Sequence, residues 1–417
     1  MNLLENDLAE KSVFKTENKK KLVIRNHSKD YPIYKIRLDK LFYNDQNDRI
    51  STWISRYKME NNIDKIDYSD RESYNEIIHK FITESNYNAL KKTQQNIKAF
   101  GQIEVGVVLL DGRIIDGNRR FTCLRNIEKE THKEQYFKAV ILDYSIENNE
   151  KDIKMLELML QHGIDEKVGY SPIERLVGIY HDIVETKLLT TAEYAKSVND
   201  TEKNIISEVE RANLLAEFLE FIDAEKQFHL ARDLDLVDPL KELQKILKKV
   251  NDEDVKENLK NAVFSQFLSR PAGDLTRYIR KINDIAANLK HLKDYLEEQS
   301  PTVEQVCEKL EEVDKNVSKK IGEIAEDKKI KNEFLRTTEK YVTRSAGEKT
   351  RNAPLKSMEK ACNGLDEIDL KILDKLKDKQ IEELKGKIDE LKEKIEKLED
   401  RLEEIDQKTG EKTDSEL

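Results

Sequence analysis

Residues 106–121 read GVVLLDGRIIDGNRRF, and the order of apolar and polar positions there admits few folds. Two short apolar runs flank Asp111-Gly112, a dipeptide that turns one strand back on another. The second run, residues 113–115, leads directly into Asp116, Gly117, Asn118, Arg119 and Arg120. A helical spacing starts at once, with Phe121, Leu124 and Ile127 on one face. Gly117 lets backbone approach a ligand closely, and a helix start directs unpaired N–H groups at it. Arg119 and Arg120 add fixed charge and forked donors. The spacing fits a phosphate cradle, and it fits equally an ordinary strand-to-helix turn carrying two surface arginines.

The rest of the chain is a different kind of sequence. At 417 residues two or three domains are expected. Charge of both signs is abundant while Gly and Pro are scarce, which favours long, solvated helices outside the strand-rich part. Residues 1–30 read as a loose polar arm, and residues 31–150 as a mixed α/β module in which Tyr136 to Leu142 is a strand buried on both sides. From Asp152 the period is helical. Leu214, Leu215, Phe218, Leu219 and Ile222 make one apolar face; Ile279, Ile282, Ile285 and Leu289 suggest another. Residues 216–345 are therefore expected to be a bundle, and the polar residues 346–364, with Gly347 and Pro354, a linker. Three scattered cysteines without C-x-x-C spacing argue against zinc and disulfides and fit a reducing cytoplasm. No apolar run has membrane-spanning length, and none at the N-terminus reads as a signal peptide.

In residues 365–407, Ile381, Ile388, Ile395 and Leu402 alternate at steps of three and four with Leu384, Leu391, Leu398 and Ile405. Ile at a and Leu at d favour a parallel two-stranded coiled coil. Burial of each seam side chain contributes roughly 1.5–3 kcal/mol, enough over four heptads to hold a homodimer. An antiparallel intramolecular hairpin or a helix from a partner protein would satisfy the same seam. Residues 408–417 read as a disordered tail.

Asp116-Gly-Asn-Arg-Arg120 resembles the phosphate-binding loop of the ParB/sulfiredoxin superfamily, which carries Gly-Glu-Arg-Arg or Asp-Gly-x-x-Arg there. Ile36-Arg-Leu-Asp-Lys-Leu41, followed by Asn47-Asp-Arg49, resembles that family's opening strand and its Asn/Gln-x-Arg segment. Ala89 to Gly101, then Ile103 to Leu110, resemble the helix, glycine and strand before the loop, and Tyr170-Ser-Pro-Ile-Glu-Arg-Leu176 the helix start after the third motif. The resemblance covers about half the chain, roughly residues 30–215. Where nucleotide-gated members carry Glu-Asn-x-Gln-Arg, this chain has Gly163-Ile-Asp-Glu-Lys167, so Asp165, Glu166 and Lys167 would have to substitute. The Cys that sulfiredoxins carry in the loop is missing, and Cys123, a helical turn later, is expected in the core.

The resemblance implies an α+β N-terminal ParB/sulfiredoxin-like domain, then an all-α region and the coiled coil. It implies a nucleoside triphosphate (CTP or ATP) with Mg²⁺, held by Asn47, Arg49, Gly117, Asn118, Arg119 and Arg120. It also matches residues 190–205 to a degenerate ParB/KorB-type helix-turn-helix within a helical region at 151–215. There Ala195 allows two helices to cross, and Asn199 takes the left-handed turn. The recognition helix offers Lys203, Asn204, Ser207 and Arg211 to DNA, beside Glu202, Glu208 and Glu210, whose carboxylates oppose phosphate. With a net charge of −10, any DNA site must be a local basic patch. The implied function is a dimeric, nucleotide-responsive, DNA-associated protein used in plasmid partition, regulation or defence against mobile DNA. A metal-dependent nuclease or nucleotide hydrolase, with Asp116 as the catalytic acid, is the alternative. A non-catalytic protein-binding adaptor is the third.

Overall fold

The computed structural model describes residues 2–5, 11–24, 27–143, 146–162, 172–312 and 316–413. It is mostly helical, with one five-stranded mixed sheet near the N-terminus. The strands are β1 (Val13–Ile24), β2 (His27–Arg37), β3 (Gly106–Leu109), β4 (Ile114–Asp116) and β5 (Tyr136–Leu142), in the order β1-β2-β5-β3-β4. Only β3 and β5 run parallel. Their connection contains α4 (Asn118–Thr131). Helices α1 (Ser51–Asn61), α2 (Arg71–Ser85) and α3 (Tyr87–Phe100) precede β3.

Period-two alternation sends β5 to two cores. Phe137, Ala139 and Ile141 meet Ile78, Leu90, Ile97, Phe121 and Leu124. Val140 and Leu142 meet Ile153, Leu156 and Leu160 of α5 (Ile146–His162). The expected burial of this strand on both sides is what the structure has. The turn between β3 and β4 places Gly112 at φ 93°, where a Cβ would strike the Lys40 carbonyl oxygen.

The N-terminal segment corrects the loose-arm expectation. Val13 to Ile24 is the edge strand, with Val13, Leu22 and Ile24 buried and its lysines turned to solvent or the sheet margin. One wet face dominates its composition and hides the strand. The sheet domain thus begins before residue 31 and uses α5 as its second layer. Between α1 and α2 lie residues 62–70, with Asn62 in the left-handed region after α1 and Asp70 capping α2.

Helix α6 (Pro172–Ile179) continues into a wider π-turn, Tyr180–Glu185. Helices α7 (Thr191–Ser197) and α8 (Glu202–Phe221) follow, with Asn199 at φ 54° between them and Ala195, Val198 and Ile205 buried. Thr190 and Glu193 close a capping box on α7. Then come α9 (His229–Asp233), α10 (Val237–Leu247), α11 (Glu253–Ser269), α12 (Leu275–Ile285), α13 (Leu289–Leu310), α14 (Val317–Glu326) and α15 (Lys328–Asp366). Their shared core holds Leu214, Leu215, Phe218, Leu219 and Ile222 together with Ile279, Ile282 and Ile285. Leu289 departs from the expected face: it is the first residue of α13, after the Asn288 cap, and is 49% exposed.

The chain divides into two compact units, residues 1–345 and 346–417. Residues 346–364, expected as a linker, are helical: α15 runs through both Gly347 and Pro354. The residues flanking them are mostly good helix formers, which outweigh two local penalties. The second unit continues with α16 (Leu370–Leu373) and α17 (Asp378–Thr413), whose helix extends beyond Lys408 into the expected tail. Ile388, Leu398, Leu402 and Ile405 of the α17 seam are exposed.

Candidate phosphate site

Strand β4 ends at Asp116, and Gly117 caps α4 with φ 107° and ψ 17°. A Cβ there would stand 2.7 Å from Phe137 Cζ, so both the conformation and the space require glycine. The first helical bond joins the Phe121 N–H to the Gly117 carbonyl, leaving the N–H groups of the opening turn for another acceptor. Arg120 Nη2 donates to Asp116 Oδ2 at 2.8 Å, one turn back. Asn118 is buried, and its Oδ1 has no hydrogen-bond partner. Burial of the Arg119 guanidinium lowers its pKa, and Arg49 and then Arg120 lower it further. Among the described residues Arg119 has no carboxylate partner. Three arginines from two segments therefore converge here; Arg120 is paired with Asp116, and Arg49 also lies in the field of Glu174.

Arg49 arrives on a 3-10 turn, Asp48–Ile50, whose cap is Asn47. Asn47 Oδ1 accepts the Arg49 N–H at 3.1 Å, so this side chain shapes the turn. The structure thus brings together Asn47, Arg49, Asp116, Gly117, Asn118, Arg119 and Arg120. Cys123 is fully buried, its thiol pushed up to about 12 by burial, and it donates to the Leu90 carbonyl oxygen. The third-motif substitutes Asp165, Glu166 and Lys167 lie outside the described residues, as do Tyr170 and Ser171.

Directly behind Arg49 is a buried charge cluster that sequence reading missed. Lys154 Nζ stands 2.8 Å from Asp48 Oδ1 and 3.4 Å from Asp182 Oδ2. Burial alone would lower the lysine, but Asp48, then Glu157 and Asp182, outweigh it and hold it well above its ordinary value. Glu157, also buried, is pushed up to about 8 by burial against the opposing pull of Lys154. Glu174 is likewise pushed up to about 8 by burial; it accepts from Thr52 at 3.2 Å, and Thr52 accepts from Arg232 at 2.9 Å. Gly178 makes room for Asp48, since a Cβ there would stand 2.7 Å from the carboxylate carbon. The Tyr194 hydroxyl of α7 is buried without a partner, and its pKa is raised by burial, then by Asp48 and Asp182. The sequence signal was Lys154 and Glu157 three apart on a helix apolar on most sides.

The helix pair presents a mixed face. Lys203 and Asn204 are exposed, although Asn204 Nδ2 also donates to Asp200 Oδ1 at 2.8 Å. Ser207 is engaged from α10, where Gln244 Nε2 donates to its carbonyl at 2.8 Å and its hydroxyl at 3.2 Å. Arg211 lies against Glu208 at 3.6 Å, and Glu208 in turn holds Arg175 at 2.9 Å. The four expected DNA contacts thus do not form one free face.

No protein-family model matches this chain, and no curated protein matches it. Among the described residues, no group of three or more His, Cys, Asp or Glu could hold a metal ion. No described helix is long and apolar enough to cross a membrane.

Proposed function

We propose that this chain is a ParB-like, nucleotide-responsive, DNA-associated protein acting as a dimer, of the kind used in plasmid partition, regulation or defence against mobile DNA. The observation that carries the reading is Arg119, a half-buried cation with no carboxylate partner among the described residues, flanked by Arg49 and Arg120 at a glycine-capped helix start. Like charges held together out of water raise the energy of the ligand-free state. A phosphate group relieves that repulsion and accepts the free N–H groups of α4. A nucleoside triphosphate (CTP or ATP) suits the site, with Arg49, Arg119 and the α4 amides on phosphate oxygens. Asp116 is the carboxylate nearest to the Mg²⁺ that would accompany it.

The response to nucleotide has a physical route in this reading. Arg49 follows Asp48 in the chain, and Asp48 is bound to Lys154 and packed on Gly178. Lys154 also reaches Asp182, and Tyr194 of the helix pair lies in the same buried field. A shift of Arg49 onto phosphate is therefore felt in the turn after α6 and in α7. The α17 seam joins two chains in parallel, its Ile and Leu positions matching that arrangement. The alternative, a nuclease or nucleotide hydrolase, is favoured by Asp116 alone, the carboxylate beside the arginines.

The test is calorimetric titration with CTP, ATP and GTP plus Mg²⁺, with and without duplex DNA. One triphosphate should bind, and Arg119→Met should weaken it by about tenfold or more, roughly 1.4 kcal/mol. Absence of binding by all three triphosphates, or equal affinity in the variant, removes the nucleotide assignment. Turnover lost in Asp116→Asn with binding retained would instead establish the hydrolase.

A further inference from the structure

Strands β1 and β2 do not stop where the sheet does. They stay paired from Lys19↔Pro32 to Ile24↔His27, whereas β2 pairs with β5 only between Ile33 and Arg37. Beyond Ile33 the two strands continue as a two-stranded ribbon. Its inner side is anchored, with Leu22 and Ile24 buried in the core that includes Ile153 and Leu156. Lys20 belongs to that side and donates to the Val105 carbonyl oxygen at 2.6 Å. Alternation turns Lys19 and Lys21 the other way, and both are exposed.

The charge of this ribbon is unlike that of the chain. The two strands carry seven Lys and Arg side chains against Glu17 and Asp30, within a protein of net charge −10. Elsewhere lysines are commonly neutralised, as in Lys129 with Glu76 and Lys260 with Glu217. On the strands Lys15, Lys19, Lys21 and Lys35 are exposed and form no ion pair among the described residues. A bulge between Lys15 and Lys19 adds twist to the edge strand, a feature that discourages strand addition by another chain. What is left is a ribbon with an excess of positive charge, in which Asp30 is the acid across from Lys21.

The recognition helix makes a poor alternative for the same contact. Glu202, Glu208 and Glu210 lie along α8, and Gln244 occupies Ser207 while Lys248 Nζ stands 2.6 Å from Glu210. We propose that the β1–β2 ribbon, through Lys19 and Lys21 with Lys15 as a flanking charge on the same face, is the surface that engages the phosphate backbone of duplex DNA. Two-stranded ribbons are narrow enough to lie in or along a duplex groove, and lysine ammoniums displace condensed counterions there. The inference rests on the reading of this chain as DNA-associated, and it assigns the contact to the sheet edge and not to the helix pair.

The experiment measures binding of the full chain to a fluorescent duplex of random sequence over a salt series, with nucleotide and Mg²⁺ present. Compared are the parent, Lys19→Glu/Lys21→Glu and Lys203→Ala. The ribbon variant should lose about tenfold or more in affinity, and its log affinity against log salt should flatten by about one per lysine. Lys203→Ala should change little. Should the reversed pair fail to fold, Lys19→Gln/Lys21→Gln carries the same expectation with smaller loss. Unchanged affinity and slope in a folded ribbon variant overturns the assignment while leaving the DNA reading intact. A parent protein that ignores duplex in every condition overturns both. Loss of binding to phosphatidylserine vesicles without loss on duplex moves the ribbon to a membrane surface and also overturns the proposal.

Discussion

At the scale of single residues, the site stores unfavourable electrostatics, and substitutions there should separate stability from binding. Arg119 is half-buried beside two other guanidinium groups, with no carboxylate partner among the described residues. Arg119→Met keeps the aliphatic stem and removes the repulsion. The ligand-free variant is expected to melt above the parent while binding triphosphate more weakly, a trade recorded by thermal melting and calorimetry on one preparation. A lower melting point would mean that Arg119 stabilises the fold. Glu174 offers a pH test. Burial pushes it up to about 8 from an unfolded value near 4.5, so the folded state holds a proton that the unfolded state releases. Its favourable contribution is full below pH 4.5 and is lost as pH rises towards 8. Glu174→Gln keeps the acceptor for Thr52 and needs no proton. The parent should lose stability across that window at up to roughly 1 kcal/mol per pH unit relative to the variant, in urea unfolding. Parallel pH profiles would refute the shift.

At the scale of elements, helix patterns were legible and strand boundaries less so. The α8 and α12 faces, the turn at Asn199 and the run into α4 follow from 3.6-residue spacing and from residues that tolerate left-handed backbone. Edge strand β1 escaped because Lys19, Lys20 and Lys21 break its apolar alternation, and only the register with β2 reveals it. The α15 helix escaped for the opposite reason, since Gly347 and Pro354 look like punctuation but fall inside a long helix. For α17, whose seam residues Ile388 and Leu398 are exposed, ending the chain before Asp378 should convert a dimer into a monomer in light scattering. A dimer that survives the truncation would move the interface to another element.

At the scale of the whole molecule, the buried cluster behind the arginines is the feature with the widest reach. Lys154 of α5 joins Asp48, two residues before the end of a 3-10 turn, to Asp182 in the π-turn after α6. Removing one member of such a cluster leaves the others charged in a low dielectric. Lys154→Met should therefore destabilise the fold by about 3–5 kcal/mol in denaturant unfolding. Addition of triphosphate should also restore less stability to it than to the parent. A loss below about 1 kcal/mol would show that the acids are already neutral and the cluster mechanically silent.

The sequence by itself determined the local events: a glycine between a strand and a helix, arginines on that helix's first turn, heptads near the C-terminus, and helices wherever apolar residues recur every three or four positions. These depend on φ/ψ preference and short-range spacing, which a linear pattern records. Only the tertiary structure decided that Arg49 meets Arg119, that Asp48, Lys154 and Asp182 share one buried site, and that Gln244 takes Ser207 away from solvent. Those contacts join residues tens of positions apart. Their energies come from burial and pairing, which exist only once the sheet and helices have packed.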